Sequence, residues 1–363
     1  YYAETYGATG VAVGLLNTSY SFMQFVFSPL WGRLSDRVGR RPVILGSLIA
    51  TAASYVVFGL ATSLPVLFVS RIFAGIAGGV IPTTQAYVAD TTTPAERTKG
   101  MGLIGAAFGL GFIFGPALGG VLSRYGYSIP AFVAAGIALL SALFAFVLLP
   151  ESLTPDKRAA AAARRLALRS TFAALRRPAL RPVLLLFFVG TLCFSALEGT
   201  FALFGEHVYQ IGPRDVGYVF AFVGSLSALM QAGFVGWLAR RFGERALVLA
   251  GFLLMGVGMV FSGTGPAFGL MLTAMGAVSV GNGLASPSLA GLASVSSSAE
   301  EQGAILGTYQ SLGSLARSAG PFLGGLAFDH LGAGSPLWMG GIVVALASLM
   351  ALQLPQRQRL SRR

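Results

Sequence analysis

Gly32-Arg33-Leu34-Ser35-Asp36-Arg37-Val38-Gly39-Arg40-Arg41-Pro42 carries five charges between two long apolar segments. A charge cluster flanked on both sides by hydrophobic stretches reads as a loop between membrane spans. Gly32 and Gly39 permit a tight turn between helices. Asp36 suits the N-terminus of a neighbouring helix, where the dipole favours a carboxylate. Arg37, Arg40 and Arg41 suit carboxylates or lipid phosphates. Taken alone, the run is equally a plain topogenic loop.

Composition supports the membrane reading. Of 363 residues, 55% are hydrophobic and 10% charged, and the mean hydropathy is +0.73. A soluble domain carries about 25% charged residues. The deficit, spread over many apolar runs, indicates an all-α polytopic membrane protein. The 49 glycines fit, because small residues let membrane helices approach closely. A net charge of +12 would suit nucleic acid, but its distribution argues against that partner. Cys193 is the single cysteine and lies in an apolar run, so no intramolecular disulfide forms.

Eleven spans are expected, at about 11–31, 43–62, 65–88, 100–122, 129–149, 183–205, 215–238, 246–262, 267–294, 302–325 and 335–354. The segments 32–42, 89–99, 150–182, 239–245 and the tail after Pro355 hold 21 of the 25 Lys and Arg. By the positive-inside rule these segments and the C-terminus are cytoplasmic. Arg124 and Arg214 then fall in short external loops, and Arg71 and Arg317 fall inside spans.

The chain repeats internally. Gly115-Pro116-Ala117-Leu118-Gly119-Gly120 recurs as Gly320-Pro321-Phe322-Leu323-Gly324-Gly325, an offset of 205. Pro82 and Pro287, and Glu96 and Glu301, share that offset. Gly32, Leu34, Arg37, Gly39 and Arg41 recur as Gly236, Leu238, Arg241, Gly243 and Arg245, an offset of 204. A period this long means two homologous halves rather than a short-repeat array. The span at 183–205 has no partner in the first half. Tyr1-Tyr2-Ala3-Glu4 reads as the tail of that partner, whose body precedes this sequence, giving twelve spans in all.

The expected divisions are 1–149 (the end of the first helix and helices two to six), a linker at 150–182, the second half at 183–354 and a basic tail at 355–363. In the linker, five consecutive alanines precede Arg164, Arg165, Arg169, Arg176 and Arg177, with Leu168, Phe172 and Leu175 at helical spacing. This reads either as a basic amphipathic helix on the inner leaflet or as a solvated tether.

The pattern Gly-x-Leu-x-Asp-Arg-x-Gly-Arg-Arg resembles the loop between helices two and three of the major facilitator superfamily. The resemblance runs through the chain. Ser70-Arg71-Ile72-Phe73-Ala74-Gly75 is similar to the fourth-helix segment of proton-coupled members. Tyr87-Val88-Ala89-Asp90 with Glu96-Arg97, and Pro150-Glu151-Ser152-Leu153, look like the ends of helices four and six. Gly109 to Gly120, with Gly111, Gly115, Pro116, Gly119 and Gly120, is similar to the fifth-helix antiporter motif. Together these resemble the twelve-helix drug:proton antiporter branch, which includes tetracycline-efflux proteins.

The resemblance implies two parallel six-helix halves and transport by alternating access. It implies that Asp36 meets the N-terminus of the eleventh helix near Glu301-Gln302. A loop arginine would pair with Asp90, completing a latch of Gly32, Asp36, Arg37, Gly39, Arg40, Arg41 and Asp90. The echo departs from the pattern: Arg240 stands where Asp36 does and Glu244 where Arg40 does. In the family the glycine motif seals the interface between halves against proton leak. The bland alternative is a small-residue packing face, and its second copy favours that alternative.

Ionisable residues inside spans are costly and mark function by default. Glu198 lies about 15 residues into its span, roughly 22 Å from the cytoplasmic end. Arg317 lies at similar height in the same half. The two are expected to face a cavity and to pair, with Glu198 as a proton carrier or a partner for a cationic drug. A static ion pair is the alternative. Arg71 is either a coupling residue or a snorkelling arginine. Asn17, Ser21 and Gln24 share a helix face. Gln85, Gln231, Asn282 and Gln310 are lone amides that either hydrogen-bond substrate or bridge helices. His207 and His330 are isolated, and no metal cluster, nucleophile–base pair or Walker-type loop is visible.

The expected function is proton-coupled export of a small amphipathic drug or metabolite across a bacterial inner membrane. The chain is read as no enzyme and as using no cofactor beyond the proton gradient. The expected partners are substrate, protons and membrane lipids, with the monomer as the working unit. Import or facilitated passage of a sugar or other metabolite is the alternative. A non-transporting scaffold or sensor is the alternative of another class.

Overall fold

The computed structural model describes residues 1–92, 94–153, 177–178, 180–265, 267–295 and 302–354. The expected linker helix, Glu301 and the basic tail lie outside the described residues. Among the described residues every element is helical. After a short turn at Glu4–Tyr6 come α1 Gly10–Val38, α2 Arg40–Gly59, α3 Leu64–Gly78, α4 Ile81–Thr91, α5 Pro94–Leu122 and α6 Ile129–Leu148. They are followed by α7 Arg181–Tyr209, α8 Pro213–Leu229, a π-helical turn Met230–Phe234 and α9 Val235–Phe242. The last are α10 Glu244–Gly263, α11 Phe268–Val295, α12 Gln302–Leu331, α13 Ser335–Ala347 and a 3-10 extension Ser348–Gln353.

Among the described residues, seven helical stretches are long and apolar enough to cross a membrane: α2, α3 with α4 over Leu64–Val88, α6, α7, α10, α11, and α13 with its extension. The long helices α1, α5 and α12 and the α8–α9 pair stand at the other four expected spans. Of these, α1 and α12 carry rows of hydroxyl and amide side chains, such as Asn17, Thr18, Ser21 and Gln24, or Thr308, Gln310, Ser314 and Ser318.

The chain divides into two compact units. The first comprises Tyr1–Ala8 and Leu16–Leu166, and the second Thr9–Leu15 and Ala167–Arg363.

In the first unit, α2 packs against α3 and α6, and α4 against α5. Gly75 lies so close to Tyr20 that an added β-carbon would collide with its backbone oxygen. Leu16, Ala61 and Leu67 form a small core beneath Tyr2, Tyr6 and Phe58. Along α6, Leu139, Leu140, Leu143, Phe144, Phe146 and Val147 are exposed. Such a face suits lipid rather than water.

In the second unit α7 lies along α12, and α10 lies between α11 and α13. Phe201, Phe204, Phe252, Met255, Met259 and Met275 are fully buried there. Glycines set the helix spacing. A β-carbon at Gly281 would lie 2.5 Å from the Gly251 oxygen, and one at Gly251 would lie 2.6 Å from the Gly281 oxygen. Close backbone approach supplies van der Waals contact where no hydrophobic driving force separates helix from lipid.

Overpacking such a contact costs about 1–3 kcal/mol. Gly281→Ala should therefore lower the thermal transition of the detergent-purified protein by several degrees. Gly269→Ala, where nothing lies within 4 Å of the new β-carbon, should leave it within error. Equal transitions for the two variants would contradict glycine-set spacing.

Candidate functional site

The charged run is mostly helix. α1 continues unbroken through Gly32 to Val38, and α2 starts at Arg40. Gly39 alone makes the turn, at φ 111° and ψ 158°, a backbone that favours glycine. The expected turn role of Gly32 is thus corrected: it is an interior helical residue with nothing within 4 Å of a built β-carbon. Gly243 repeats the geometry between α9 and α10, at φ 80° and ψ 153°.

Arg40 is the hub of this end of the first unit. It is 7% exposed. Its Nη1 is 2.6 Å from Asp36 Oδ1 and donates to Ser35 Oγ at 2.5 Å. Its Nε donates to Asp90 Oδ2 at 3.2 Å. Asp36 and Arg40 are one helical turn apart in number, which brings their side chains onto one side despite the glycine break. Asp90 is presented by the last turn of α4, where Ser152 Oγ also donates to it at 3.4 Å. Asp36 thus meets an arginine of its own run. Arg37 is exposed. Arg41 turns to α6, donating to the Phe146 carbonyl at 2.6 Å and lying 5.5 Å from the Phe146 ring centroid.

Glu151 completes the cluster. Its Oε1 accepts from the Arg40 amide at 2.9 Å and its Oε2 from the Arg41 amide at 3.2 Å. Oε1 also accepts from Leu153 N–H at 3.0 Å. The Arg40 and Arg41 amides belong to the first turn of α2, where they lack intrahelical acceptors and stand at the positive end of the helix dipole. The sequence reading placed Glu151 in a motif but gave it no role. The available signal was scarcity: with 13 acidic residues in the chain, a carboxylate directly after an apolar span needs a partner.

Arg71 on α3 lies 4.4 Å from the Phe58 ring centroid and 5.5 Å from that of Tyr55. Its Nε and Nη2 are buried and have no hydrogen-bond partner among the described residues. Cation–π contact supplies roughly 0.5–2 kcal/mol, whereas each unmet buried donor costs about 1–3 kcal/mol. The guanidinium is therefore under-satisfied and suits an anionic group.

Two of the amides proposed for substrate have local work. Gln24 Nε2 donates to the Gly78 carbonyl at 3.1 Å, and Trp31 Nε1 donates to that of Ile76 at 2.5 Å. Both bond to carbonyls where α3 ends and α4 begins, the Ile76 carbonyl also accepting from Gly79 N–H at 3.3 Å. Gln231, in the π turn, donates to Ser227 Oγ at 3.0 Å. Asn17 is exposed on α1.

In the second unit, Asn282, Thr191 and Ser286 line a cavity of about 20 Å³ walled by Leu186, Phe187, Phe252 and Met255. Such a space holds about one water molecule. Glu198 lies roughly 26 Å along α7 from Arg181. It is exposed while Leu197, Thr200 and Phe201 beside it are buried. Arg317 of α12 acts on it electrostatically, and Glu198 forms no ion pair within 4.0 Å among the described residues. Arg317 Nη2 donates to Ser314 Oγ at 3.3 Å, and the Arg317 carbonyl accepts from Ser195 Oγ at 3.4 Å.

The two glycine motifs differ in what they touch. Built β-carbons at Gly109, Gly111, Gly115 and Gly119 meet nothing within 4 Å, while Gly120 is buried and α5 continues through Pro116. In the second copy, a β-carbon at Gly320 would lie 2.6 Å from the Leu192 oxygen, and one at Gly324 would lie 3.0 Å from the Ala196 oxygen. The second copy is a packing face for α7.

A family model described as Major Facilitator Superfamily matches residues 1–321, and again 231–362. A class D tetracycline resistance protein of Salmonella ordonez is 33% identical over 330 residues, 90% of this chain and 83% of that protein. Multidrug resistance protein 2 of Bacillus subtilis strain 168 is 32% identical over 333 residues, 88% of this chain and 81% of that protein. The crystal structure of the human organic anion transporter MFSD10 (TETRAN) superposes with a TM-score of 0.70 at 30% identity, covering 93% of this chain and 83% of that one.

Arg40 holds two partly buried carboxylates. Breaking a buried ion pair costs about 3–5 kcal/mol, and the 29% and 23% exposure of Asp36 and Asp90 reduces this to about 2 kcal/mol. Arg40→Ala should lower thermal stability by that order. A cycle with Asp90→Ala should show a coupling of about 0.5–3 kcal/mol. Additive effects of the two substitutions would mean that the pair contributes nothing.

Proposed function

The chain belongs to the major facilitator superfamily, a family of transporters rather than enzymes, and we propose that it exports a small amphipathic compound in exchange for protons. It is a multi-pass membrane protein. The proposal places it in a bacterial inner membrane, with the C-terminus in the cytoplasm on the positive-inside distribution of its arginines.

One observation carries the coupling: Glu198 is a carboxylate inside a 29-residue apolar helix, accessible amid buried neighbours and within the field of Arg317. A carboxylate there alternates between a protonated form, indifferent to Arg317, and an anion attracted to it. Proton binding and release can thereby bias two arrangements of the second half, which alternating access about a midplane site requires. The tetracycline and multidrug resistance relatives support drug-like cargo. The Arg40 cluster would then serve as the cytoplasmic latch. Asp36, held by a single arginine and 29% exposed, is the member free to change partner.

A second reading is transport of an organic anion. Arg71 favours it, because its aromatic surroundings and two unmet buried donors suit a planar carboxylate, and the human structural relative is described as an organic anion transporter.

Inverted membrane vesicles distinguish these readings. With an imposed pH gradient, addition of the transported drug should release protons from wild-type vesicles. Glu198→Gln should bind drug and release none. Asp36→Asn should express normally and transport at a small fraction of the wild-type rate. Unchanged proton release in Glu198→Gln would remove this residue from coupling. Loss of carboxylate-bearing cargo alone in Arg71→Ala would favour the anion reading.

A further inference from the structure

The beginning of α1 is held by a side chain from α12. Asp329 Oδ1 accepts from Gly10 N–H at 3.0 Å, and Oδ2 accepts from Val11 N–H at 2.8 Å. Thr9 Oγ1 accepts from Ala12 N–H at 3.3 Å. Three of the amides that a helix start leaves without acceptors are thus satisfied, two of them by one carboxylate at the positive end of the dipole.

Backbone contact reinforces the cap. A β-carbon added to Gly325 would collide with the Gly10 carbonyl, and one added to Gly14 would collide with the Pro321 carbonyl. Residues 9–15 accordingly group with the second unit, whereas α1 from Leu16 onward groups with the first. The capped end lies roughly 42 Å along α1 from Val38, at the opposite end from the Arg40 cluster.

The arrangement is not a remnant of the internal repeat. The residue equivalent to Asp329 in the first half is Arg124, 205 positions earlier, and it donates to the hydroxyl of its own neighbour Tyr125 at 2.8 Å. α8, the counterpart of α1, begins with Pro213, which needs no acceptor, and carries Asp215 in its own first turn. The carboxylate cap is therefore specific to α1.

We propose that Asp329, with the Gly10–Gly325 contact beneath it, is a releasable latch on the first turn of α1, engaged in one conformation of the transport cycle and open in the other. Its chemistry suits release. Asp329 is exposed, so water takes over both the carboxylate and the freed amides when the helices part. The glycine surfaces separate without a side chain to withdraw.

Hydrogen–deuterium exchange on the full-length protein in nanodiscs tests the latch without any substrate, so a fault in the export reading leaves this readout intact. Asp329→Ala should speed exchange in the peptide covering residues 9–16 several-fold. Asp329→Asn, which keeps one acceptor, should have an intermediate effect, and peptides within α2 should exchange as in wild type. Should Asp329→Ala fail to fold, Asp329→Asn and Gly325→Ala decide the same point. Native exchange rates in these variants would overturn the latch.

Release is tested by locking. The Asp329 Cγ lies 3.2 Å from a β-carbon built at position 10, within disulfide reach. In a Cys193→Ser background, oxidised Gly10→Cys/Asp329→Cys should stop ethidium efflux, and reductant should restore it. Full efflux from the oxidised protein would overturn release as a step of the cycle. If the reduced pair does not export ethidium, the same oxidation is read by exchange in peptides of α1 beyond Leu16, where an unaltered pattern would likewise overturn it.

Discussion

A membrane helix leaves amides and carbonyls at its ends without intrahelical partners, and side chains of this protein supply many of those partners. The described structure is organised around that demand. Glu151 receives the first amides of α2, Asp329 those of α1, and Gln24 and Trp31 the carbonyls left where α3 gives way to α4. Each donor or acceptor comes from outside the helix it completes: Gln24 and Trp31 from α1, Asp329 from α12, and Glu151 from the segment that follows α6. Satisfying helix ends therefore also fixes which helices are neighbours, and it places charge at the two ends of α1. Those ends are where a transporter of alternating access needs contacts that hold and then let go.

Glycine does the complementary work along the helix shafts. In the second unit the α10–α11 and α7–α12 contacts are close enough that a methyl group would collide with backbone at Gly281 or Gly320. The equivalent stripe on α5 touches nothing within 4 Å at Gly109, Gly111, Gly115 and Gly119. One inherited motif thus plays two parts: a close-packed face in one copy, where Gly320 and Gly324 meet α7 and Gly325 meets Gly10, and an open face at these four positions in the other. The repeat diverges elsewhere for local reasons. The α3–α4 break, where Gln24 and Trp31 of α1 bond to carbonyls, has no counterpart in α11, which continues through Pro287.

Much of the fold was legible from the chain, because apolar runs and arginine-rich breaks are imposed residue by residue by the bilayer. Several expected spans correspond to helices that overrun them, as with 11–31 against Gly10–Val38. Hydropathy marks where the hydrocarbon ends, whereas hydrogen bonding carries a helix further. That is why the run at 32–42 read as a loop yet is helical up to Gly39. The site was only partly legible. Pairing of a loop arginine with Asp90 followed from the family resemblance. Gln24 looked like a substrate ligand because a polar side chain in a span attracts attention whether it faces cargo or a broken helix end.

The sequence by itself determined the membrane class, the internal repeat, the clustering of arginines in alternate breaks between apolar runs and the presence of a carboxylate deep in α7, since each depends on composition, spacing or charge count. Only the tertiary structure decided that Arg40 is the arginine that binds Asp36 and Asp90, that Glu151 and Asp329 cap helices, and that Asn282 lines a cavity fit for one water. These depend on which helices lie side by side. Residues 50, 111 and 319 positions apart meet through the directions of side chains on packed helices, and no local property of the chain records those directions.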